Sequence, residues 1–172
     1  MRKIYDKMIE SGLDVYDSQK EAFKYEGDSL MIYGGMGTGK TESALLAIKE
    51  GSIVDWILPT PESCIFMYKR LVYQFGEVLN LEVVTPDEVD RSYSSTLKEG
   101  GRIRITIPDP VYFEYISDKR ESTTLVIDEM GEKYPPDVRS MISDYIDVME
   151  SLRIQVIIIS SEWVNKGDKK LI

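Results

Sequence analysis

The chain has 172 residues with 42% apolar content, so it predicts one domain over residues 1–172 and is too short for two full lobes. Its formal net charge of −9 excludes a broadly basic surface, so any nucleic-acid contact has to be local. It has no histidine, which excludes a histidine base, a histidine-bound metal and a Ser/His/Asp triad.

The cysteine content and the apolar segments bear on the cellular compartment. Cys64 is the single cysteine, so an internal disulfide is excluded and a reducing compartment is favoured. The start, Met1–Lys7, is followed by polar sequence rather than by the apolar core of a signal peptide. The longest strongly apolar run, Ile154–Ile159, is too short to span a membrane. We therefore expect a cytoplasmic protein that does not associate with membranes.

Short apolar segments rich in β-branched residues alternate along the chain with longer segments of helical character. The predicted strands are, in chain order, Ser29–Tyr33, Ile53–Leu58, Glu82–Val84, Arg102–Ile107, Thr123–Ile127 and Ile154–Ile159. The predicted helices are Lys40–Glu50, Pro61–Leu79, Val111–Ser117 and Asp137–Ser151. Uninterrupted apolar strands separated by helices indicate a mainly parallel sheet that is covered on both faces. The predicted class is α/β with three layers, and such sheets bind ligands at the carboxyl ends of their strands.

A glycine-rich segment directly follows the first predicted strand and opens a helix. Gly34–Thr41 reads GGMGTGKT and matches the whole pattern G-x-x-x-x-G-K-[ST], the Walker A motif or phosphate loop. In such a loop successive backbone N–H groups face the β-phosphate, and the helix amino terminus adds partial positive charge. Lys40 is then expected to reach the β- and γ-phosphates, and the Thr41 hydroxyl to bind Mg²⁺. The predicted ligand is Mg–ATP or a similar nucleoside triphosphate, bound by Gly35, Met36, Gly37, Thr38, Gly39, Lys40 and Thr41.

Two adjacent acids end a later apolar strand. Leu125–Ile127 is followed by Asp128 and Glu129, the form in which phosphate-loop enzymes present a magnesium partner and a water activator, the Walker B motif. Asp128 is expected to hold Mg²⁺, and Glu129 to orient or deprotonate the attacking water. Because a protein that only binds nucleotide could do without Glu129, the pair favours hydrolysis.

With these motifs in place, the chain resembles the first RecA-like lobe of the superfamily 2 helicases and their DEAD-like relatives. Tyr16–Ala22 is similar to the glutamine motif of that family, which implies that Gln19 reads the adenine edge; the alternative is an ordinary exposed glutamine on a helix. Leu58–Pro61 is similar to motif Ia and Thr106–Asp109 to motif Ib. In the family both loops touch the nucleic-acid backbone, although a plain strand-ending turn explains either segment equally well.

The sequence departs from this family in two respects. Ser160–Glu162 reads Ser-Ser-Glu where the family commonly has Ser-Ala-Thr, so ATP turnover is expected while helicase activity is left open. A second lobe with an arginine finger is not part of the sequence, so we expect a second lobe, a partner protein or a homo-oligomer to provide it. Arginines that could serve a neighbouring subunit are Arg91, Arg120, Arg139 and Arg153.

The same order of motifs also resembles viral and phage DNA-packaging and related motor ATPases. These work as rings, and a ring would supply the arginine finger. If the source is viral, the expected compartment is the host cytoplasm.

Three functions are compatible with these patterns. The leading hypothesis is an ATPase linked to nucleic-acid handling, the second is a nucleotide-binding module without turnover, and the third is a small-molecule kinase. The Asp-Glu pair and the lack of an evident arginine-rich lid disfavour the kinase. DNA or RNA would have to bind local basic patches, although a solvated face is the favoured interpretation of each. These patches are Lys69 with Arg70, Arg102 with Arg104, and Lys166 with Lys169 and Lys170.

Overall fold

The computed structural model describes residues 2–78, 81–83, 96–97, 101–110, 113–114, 123–162 and 169–172. The helices are α1 Arg2–Glu10, α2 Asp17–Phe23, α3 Lys40–Ala47, α4 Pro61–Phe75 and α5 Pro136–Ser151. The strands are β1 Leu30–Tyr33, β2 Ile53–Ile57, β3 Leu81–Val83, β4 Thr96–Leu97, β5 Gly101–Thr106, β6 Thr124–Ile127, β7 Gln155–Ser160 and β8 Lys170–Leu171. None of the helices within these ranges is long and apolar enough to cross a membrane.

The eight strands of the described residues form one sheet in the order β3-β5-β2-β6-β7-β1-β8, with β4 paired to β5. Every neighbouring pair along this order is parallel, and only β4 runs antiparallel. The mainly parallel sheet predicted from the sequence is therefore confirmed. In the register, Tyr33 lies beside Ser160 and Ile127 lies beside Ile158, so β1, β7 and β6 end at the same edge of the sheet.

Helices cover both faces of the sheet, which confirms the three-layer α/β class. Successive strand residues point to opposite sides, so Ile32 and Val126 pack in the core under α1 to α4, whereas Met31 and Leu125 pack in the core under α5. Full burial of each such side chain stabilises the fold by roughly 1.5–3 kcal/mol. Cys64 belongs to the first core at 2% exposure, as expected for a small apolar residue.

Several element boundaries differ from the prediction. The helix expected over Lys40–Glu50 ends at Ala47, because Ile48 is extended and buried at 1% exposure. The helix expected to reach Leu79 ends at Phe75, where Gly76 caps it. The predicted helix Val111–Ser117 lies mostly outside the described residues. α1, α2, β4 and β8 are not among the predicted elements, although the alternative interpretation of Gln19 placed that residue on a helix.

The prediction that Arg104 contributes to an exposed basic patch is wrong. Arg104 lies opposite Asp55 in the β2–β5 register, and the two are 5% and 0% exposed. Arg104 Nε donates to Asp55 Oδ1 at 2.9 Å and Nη2 donates to Oδ2 at 2.8 Å. The alternating pattern of Arg102–Ile107 suggested one solvated face, but β5 is interior to the sheet, so its arginine requires a buried carboxylate.

Candidate functional site

The glycine loop, Gly34–Thr41, connects the end of β1 to the start of α3, as the sequence predicts. Gly37 and Gly39 have φ angles of 77° and 74°, a conformation in which side chains are strained. A Cβ on Gly39 would also lie 2.4 Å from Gln19 Nε2, so only glycine fits there. Met36 is 98% exposed at the tip of the loop. The loop is tied to the sheet where Gly34 N donates to Ser160 O at 3.2 Å.

Lys40 folds back over this loop. Its Nζ donates to Gly35 O at 2.6 Å, and Thr38 Oγ1 donates to the same carbonyl at 2.8 Å. Burial lowers the pKa of Lys40, and the carboxylates of Asp128 and Glu129 partly oppose that shift. Lys40, Asp128 and Glu129 all line one cavity, so the ammonium and the two carboxylates belong to the same site.

Asp128 is 4% exposed and its carboxylate is held from two sides. Trp56 Nε1 donates to Oδ2 at 3.0 Å, and Glu129 N donates to Oδ1 at 2.8 Å. Burial nevertheless raises the pKa of Asp128 to about 6, because these hydrogen bonds and the charge of Lys40 offset only part of the desolvation. A cation bound beside Asp128 would therefore stabilise its ionised form.

Glu129 lies in a strained turn directly after β6. Its φ angle is 54°, and its carboxylate forms an ion pair with Lys133, four residues later in the sequence. The turn is fixed by buried Tyr134, whose hydroxyl donates to Asp128 O at 2.7 Å. No sequence pattern indicates this role of Tyr134, because its hydrogen-bond partner is a backbone carbonyl. Strain of this kind costs about 1–3 kcal/mol and is typical of functional sites.

Thr41 is buried in the first turn of α3 and contacts an arginine from another helix. Arg70 of α4 donates from Nη1 to Thr41 Oγ1 at 3.3 Å and from Nη2 to Glu42 Oε1 at 2.5 Å. The sequence interpretation placed Arg70 only in a basic patch with Lys69, which is exposed. No local pattern links α4 to α3, so this contact could be found only from the tertiary packing.

These groups surround one cavity of about 300 Å³ at the carboxyl edge of the sheet. The cavity brings together Met36–Thr41 from the glycine loop and the acids Asp128 and Glu129. Its wall is completed by Leu58, Ser63, Phe66, Met67, Arg70, Ile159, Ser160 and Ser161.

Gln19 lies beside the loop but is buried at 3% exposure. Its Oε1 accepts from Tyr16 N at 2.9 Å, and its Nε2 donates to Gly39 O at 3.4 Å. The Gln19 side chain thus connects the start of α2 to the end of the glycine loop. Because it is buried, it is not the exposed glutamine of the alternative interpretation. Its contact with adenine stays a prediction, and Tyr16, at 51% exposure, is the aromatic side chain nearest to it in the sequence.

Ser160 and Glu162 connect the loops that follow β7 and β6. Ser160 Oγ donates to Met130 O at 2.6 Å, and Glu132 N donates to Glu162 Oε1 at 3.1 Å. Gly131 has a φ angle of 144°, and a Cβ there would lie 2.7 Å from the Glu162 carboxylate. Glu162 therefore has a defined role as an acceptor for the loop that carries Glu129.

The two segments similar to motifs Ia and Ib have structural roles of their own. Thr60 caps α4, since Thr60 Oγ1 accepts from Ser63 N at 3.1 Å and Ser63 Oγ accepts from Thr60 N at 3.1 Å. Thr106 is buried at the end of β5, and Asp109 O accepts from Phe113 N at 3.0 Å. Contacts of either segment with nucleic acid stay predictions.

Only some of the other arginines and lysines proposed as functional from the sequence lie within the described residues. Arg91, Arg120, Lys166 and the side chain of Arg102 lie outside the described part of the chain. Arg139 is half-buried on α5, and Arg153 is exposed. Lys169 and Lys170 form ion pairs with Glu150 and Glu21, which reduces the local positive charge.

The oxygen donors of the site fit Mg²⁺. Thr41 offers a hydroxyl and Asp128 a carboxylate, and magnesium is usually held by one or two such groups together with phosphate oxygens. Within the described residues, no three Asp, Glu, Cys or His side chains cluster to hold a metal by themselves. A magnesium ion here would thus depend on the phosphates of a bound nucleotide.

No protein-family model matches the sequence, and no curated protein is significantly similar to it. The structure is similar to E. coli HrpB, a DEAH/RHA helicase, with a TM-score of 0.61 and 14% identity over 85% of this chain and 20% of that one. S. cerevisiae Dbp5, solved with Nup159, Gle1, IP6 and ADP, gives a TM-score of 0.64 and 13% identity over 96% of this chain and 47% of that one. This chain has the RecA-like P-loop NTPase fold.

The large terminase ATPase domain of Thermus phage P74-26 shares this RecA-like fold, with a TM-score of 0.54 and 15% identity over 92% of this chain and 69% of that domain. The RecA-like chain spans only 20% of HrpB and 47% of Dbp5. The family resemblance drawn from the sequence is confirmed at the level of the fold.

Proposed function

We propose that this RecA-like chain binds Mg–ATP, or a similar nucleoside triphosphate, and hydrolyses it. The observation that carries this proposal is the cavity that has Lys40 and Thr41 on one side and Asp128 and Glu129 on the other. Cations and backbone N–H groups on one rim suit a polyphosphate, and carboxylates on the other suit a metal and a water molecule.

Each residue has a distinct role in this proposal. The backbone N–H groups of the glycine loop and the Lys40 ammonium bind the β- and γ-phosphates. Thr41 and Asp128 hold Mg²⁺, which supplies charge neutralisation at the phosphates when bound. Glu129 aligns the attacking water and accepts its proton.

The wider role proposed for the chain is nucleic-acid handling, as a helicase-like or translocation motor. Its support is the similarity to a helicase and to a terminase ATPase domain, together with the exposed Lys69 of α4. We further propose that a second lobe, a partner protein or another copy of the chain supplies an arginine to the site. Turnover that rises on addition of single-stranded DNA or RNA, and an affinity for that strand that falls with salt, would support this role.

The test of the hydrolytic role is phosphate release from ATP by wild-type protein, Lys40→Ala, Glu129→Gln and a control, Lys49→Ala. The expected result is binding and turnover in the wild type and the control, binding without turnover in Glu129→Gln, and weak binding in Lys40→Ala. Loss of the general base costs at least about 100-fold in rate. Full ATPase activity in Lys40→Ala would refute the proposal.

A second candidate function is a nucleotide-binding module without turnover of its own. The observation that favours it is the ion pair of Glu129 with Lys133, which engages the carboxylate needed for hydrolysis. Tight binding of Mg–ATP with no phosphate release, with or without nucleic acid, would select the module over the ATPase.

A further inference from the structure

Arg70 connects α4 to the first turn of α3, and the sequence pattern alone assigns it no role at the site. Its two terminal nitrogens point in different directions, Nη1 to Thr41 Oγ1 and Nη2 to Glu42 Oε1. The Arg70 side chain is 35% exposed and that of Glu42 is 10% exposed. The guanidinium therefore lies at the wall of the same cavity as Lys40, Asp128 and Glu129.

The contact with Thr41 disfavours a metal ion at the same oxygen. A hydrogen bond from the guanidinium and a bound divalent cation would each take one lone pair of Thr41 Oγ1, which brings two positive groups to the same oxygen. Two cations that share one hydroxyl would also repel each other by several kcal/mol, since charges about 4 Å apart near a protein surface interact by about 4 kcal/mol per unit charge. Arg70 Nη1 and Mg²⁺ therefore compete for Thr41.

Glu42 provides a second hydrogen-bond acceptor that holds the Arg70 guanidinium in place. Its carboxylate lies one residue after Thr41, where its negative charge would repel a triphosphate unless it were neutralised. Because Nη2 donates to Glu42, the Arg70 side chain can lose its hydrogen bond to Thr41 and still remain at the cavity wall. The planar guanidinium provides two donors at fixed angles, which a lysine ammonium cannot reproduce.

We infer that Arg70 senses the terminal phosphate from within the chain. On binding of Mg–nucleotide, Nη1 leaves Thr41 and donates to a γ-phosphate oxygen while Nη2 stays on Glu42. This inference rests on the proposed function, because it needs a triphosphate at the glycine loop. It makes Arg70 a determinant of the preference for nucleoside triphosphate over diphosphate.

The test is calorimetric titration of AMP-PNP and of ADP, both with Mg²⁺, into wild-type protein, Arg70→Ala and Arg70→Lys. Lys49→Ala is the control, since it removes an exposed positive charge that is paired with Asp28 and does not line the cavity. Loss of a charge-assisted hydrogen bond to phosphate predicts about tenfold weaker AMP-PNP binding in both Arg70 variants. ADP binding and the control should change by less than about threefold.

Glu42→Gln and the double variant Arg70→Ala with Glu42→Gln separate phosphate contact from neutralisation of Glu42. In the Glu42→Gln background, Arg70→Ala should still weaken AMP-PNP binding about tenfold. Equal losses for ADP and AMP-PNP, or no loss in that background, would overturn the inference while leaving the proposed function intact. Failure of the wild-type protein to bind either nucleotide would overturn the proposed function and this inference with it.

Discussion

The indole Nε1 of Trp56 donates a 3.0 Å hydrogen bond to Asp128 Oδ2, although the two residues are 72 positions apart. Trp56 lies on β2 and Asp128 follows β6, and the two strands are neighbours in the sheet. The fold thereby fixes the orientation of the carboxylate proposed to hold magnesium, as outer partners of metal ligands commonly do.

Trp56→Phe is expected to weaken Mg–ATP binding. Loss of the indole donor removes a hydrogen bond that lowers the pKa of Asp128, so less of the carboxylate is ionised near neutral pH. A hydrogen bond to a charged group is worth about 1.5–3 kcal/mol, so its loss should lower the ionised fraction of Asp128, and with it the affinity at pH 7, by roughly two- to tenfold. Calorimetry at neutral and at mildly alkaline pH checks this, because the defect should shrink where Asp128 is ionised in both proteins. A defect that is the same at both pH values would contradict the explanation.

The stability of the fold should depend on the ionisation of Asp128. The folded-state pKa of about 6 lies above the ordinary value of 3.8, so the native state binds more protons between these values. The free energy of unfolding contributed by Asp128 therefore falls as pH rises through this window, and it stays low above pH about 6. Relative to Asp128→Asn, the wild type should lose about 1 kcal/mol between roughly pH 5 and 7.5. Urea unfolding of both proteins measures this difference, and a difference that is constant or rises with pH would show that Asp128 is not destabilised by burial.

Local sequence patterns were sufficient to predict that the glycine loop and the two acids follow strands of the sheet. The glycine loop and the acids Asp128 and Glu129 follow strands whose apolar runs are easy to recognise, and parallel strands bring their carboxyl ends to one edge. The contacts of Trp56, Arg70 and Tyr134 depend on which strands and helices become neighbours, which no local pattern encodes.

The sequence-based predictions that were wrong or incomplete also have physical explanations. The alternation in β5 suggested an exposed Arg104, but alternation cannot distinguish a solvated arginine from one that is paired inside the sheet with Asp55. α1 was overlooked because its buried residues are few, chiefly Ile4 and Met8. α3 ends before the predicted Glu50 because burial of Ile48 overrides the helical preference of the residues around it.

The ion pair between Lys133 and Glu129 is expected to restrain hydrolysis. Lys133 is 62% exposed at the side chain and Glu129 is 33% exposed, so the pair is screened and worth less than about 1 kcal/mol. Lys133→Ala should release the carboxylate and raise kcat by up to about fivefold with little change in KM. Lys49→Ala, which removes a lysine paired with Asp28 beyond the carboxyl end of α3, is the matched control. A fall in kcat in Lys133→Ala would show that the lysine positions Glu129 rather than restrains it.

The buried pair of Arg104 and Asp55 predicts a non-additive effect on stability. Asp55→Leu or Arg104→Met alone leaves one charge without its principal partner and should lower the free energy of unfolding by about 3–5 kcal/mol. The double variant Asp55→Leu with Arg104→Met removes both charges, and it should be within about 2 kcal/mol of the wild type. Urea denaturation of the variants completes the cycle. Single variants as stable as the wild type, or a double variant that loses the sum of both effects, would contradict a paired interior arginine.

The most direct measurement of the central claim is a calorimetric titration of Mg–ATP into the wild-type chain and into Lys40→Ala. We expect saturable one-to-one binding by the wild type, weakened by at least about tenfold in Lys40→Ala because the lysine forms charge-assisted contacts with the phosphates. No binding heat from the wild type at millimolar nucleotide, or equal affinity in the two proteins, would contradict a triphosphate site at the glycine loop.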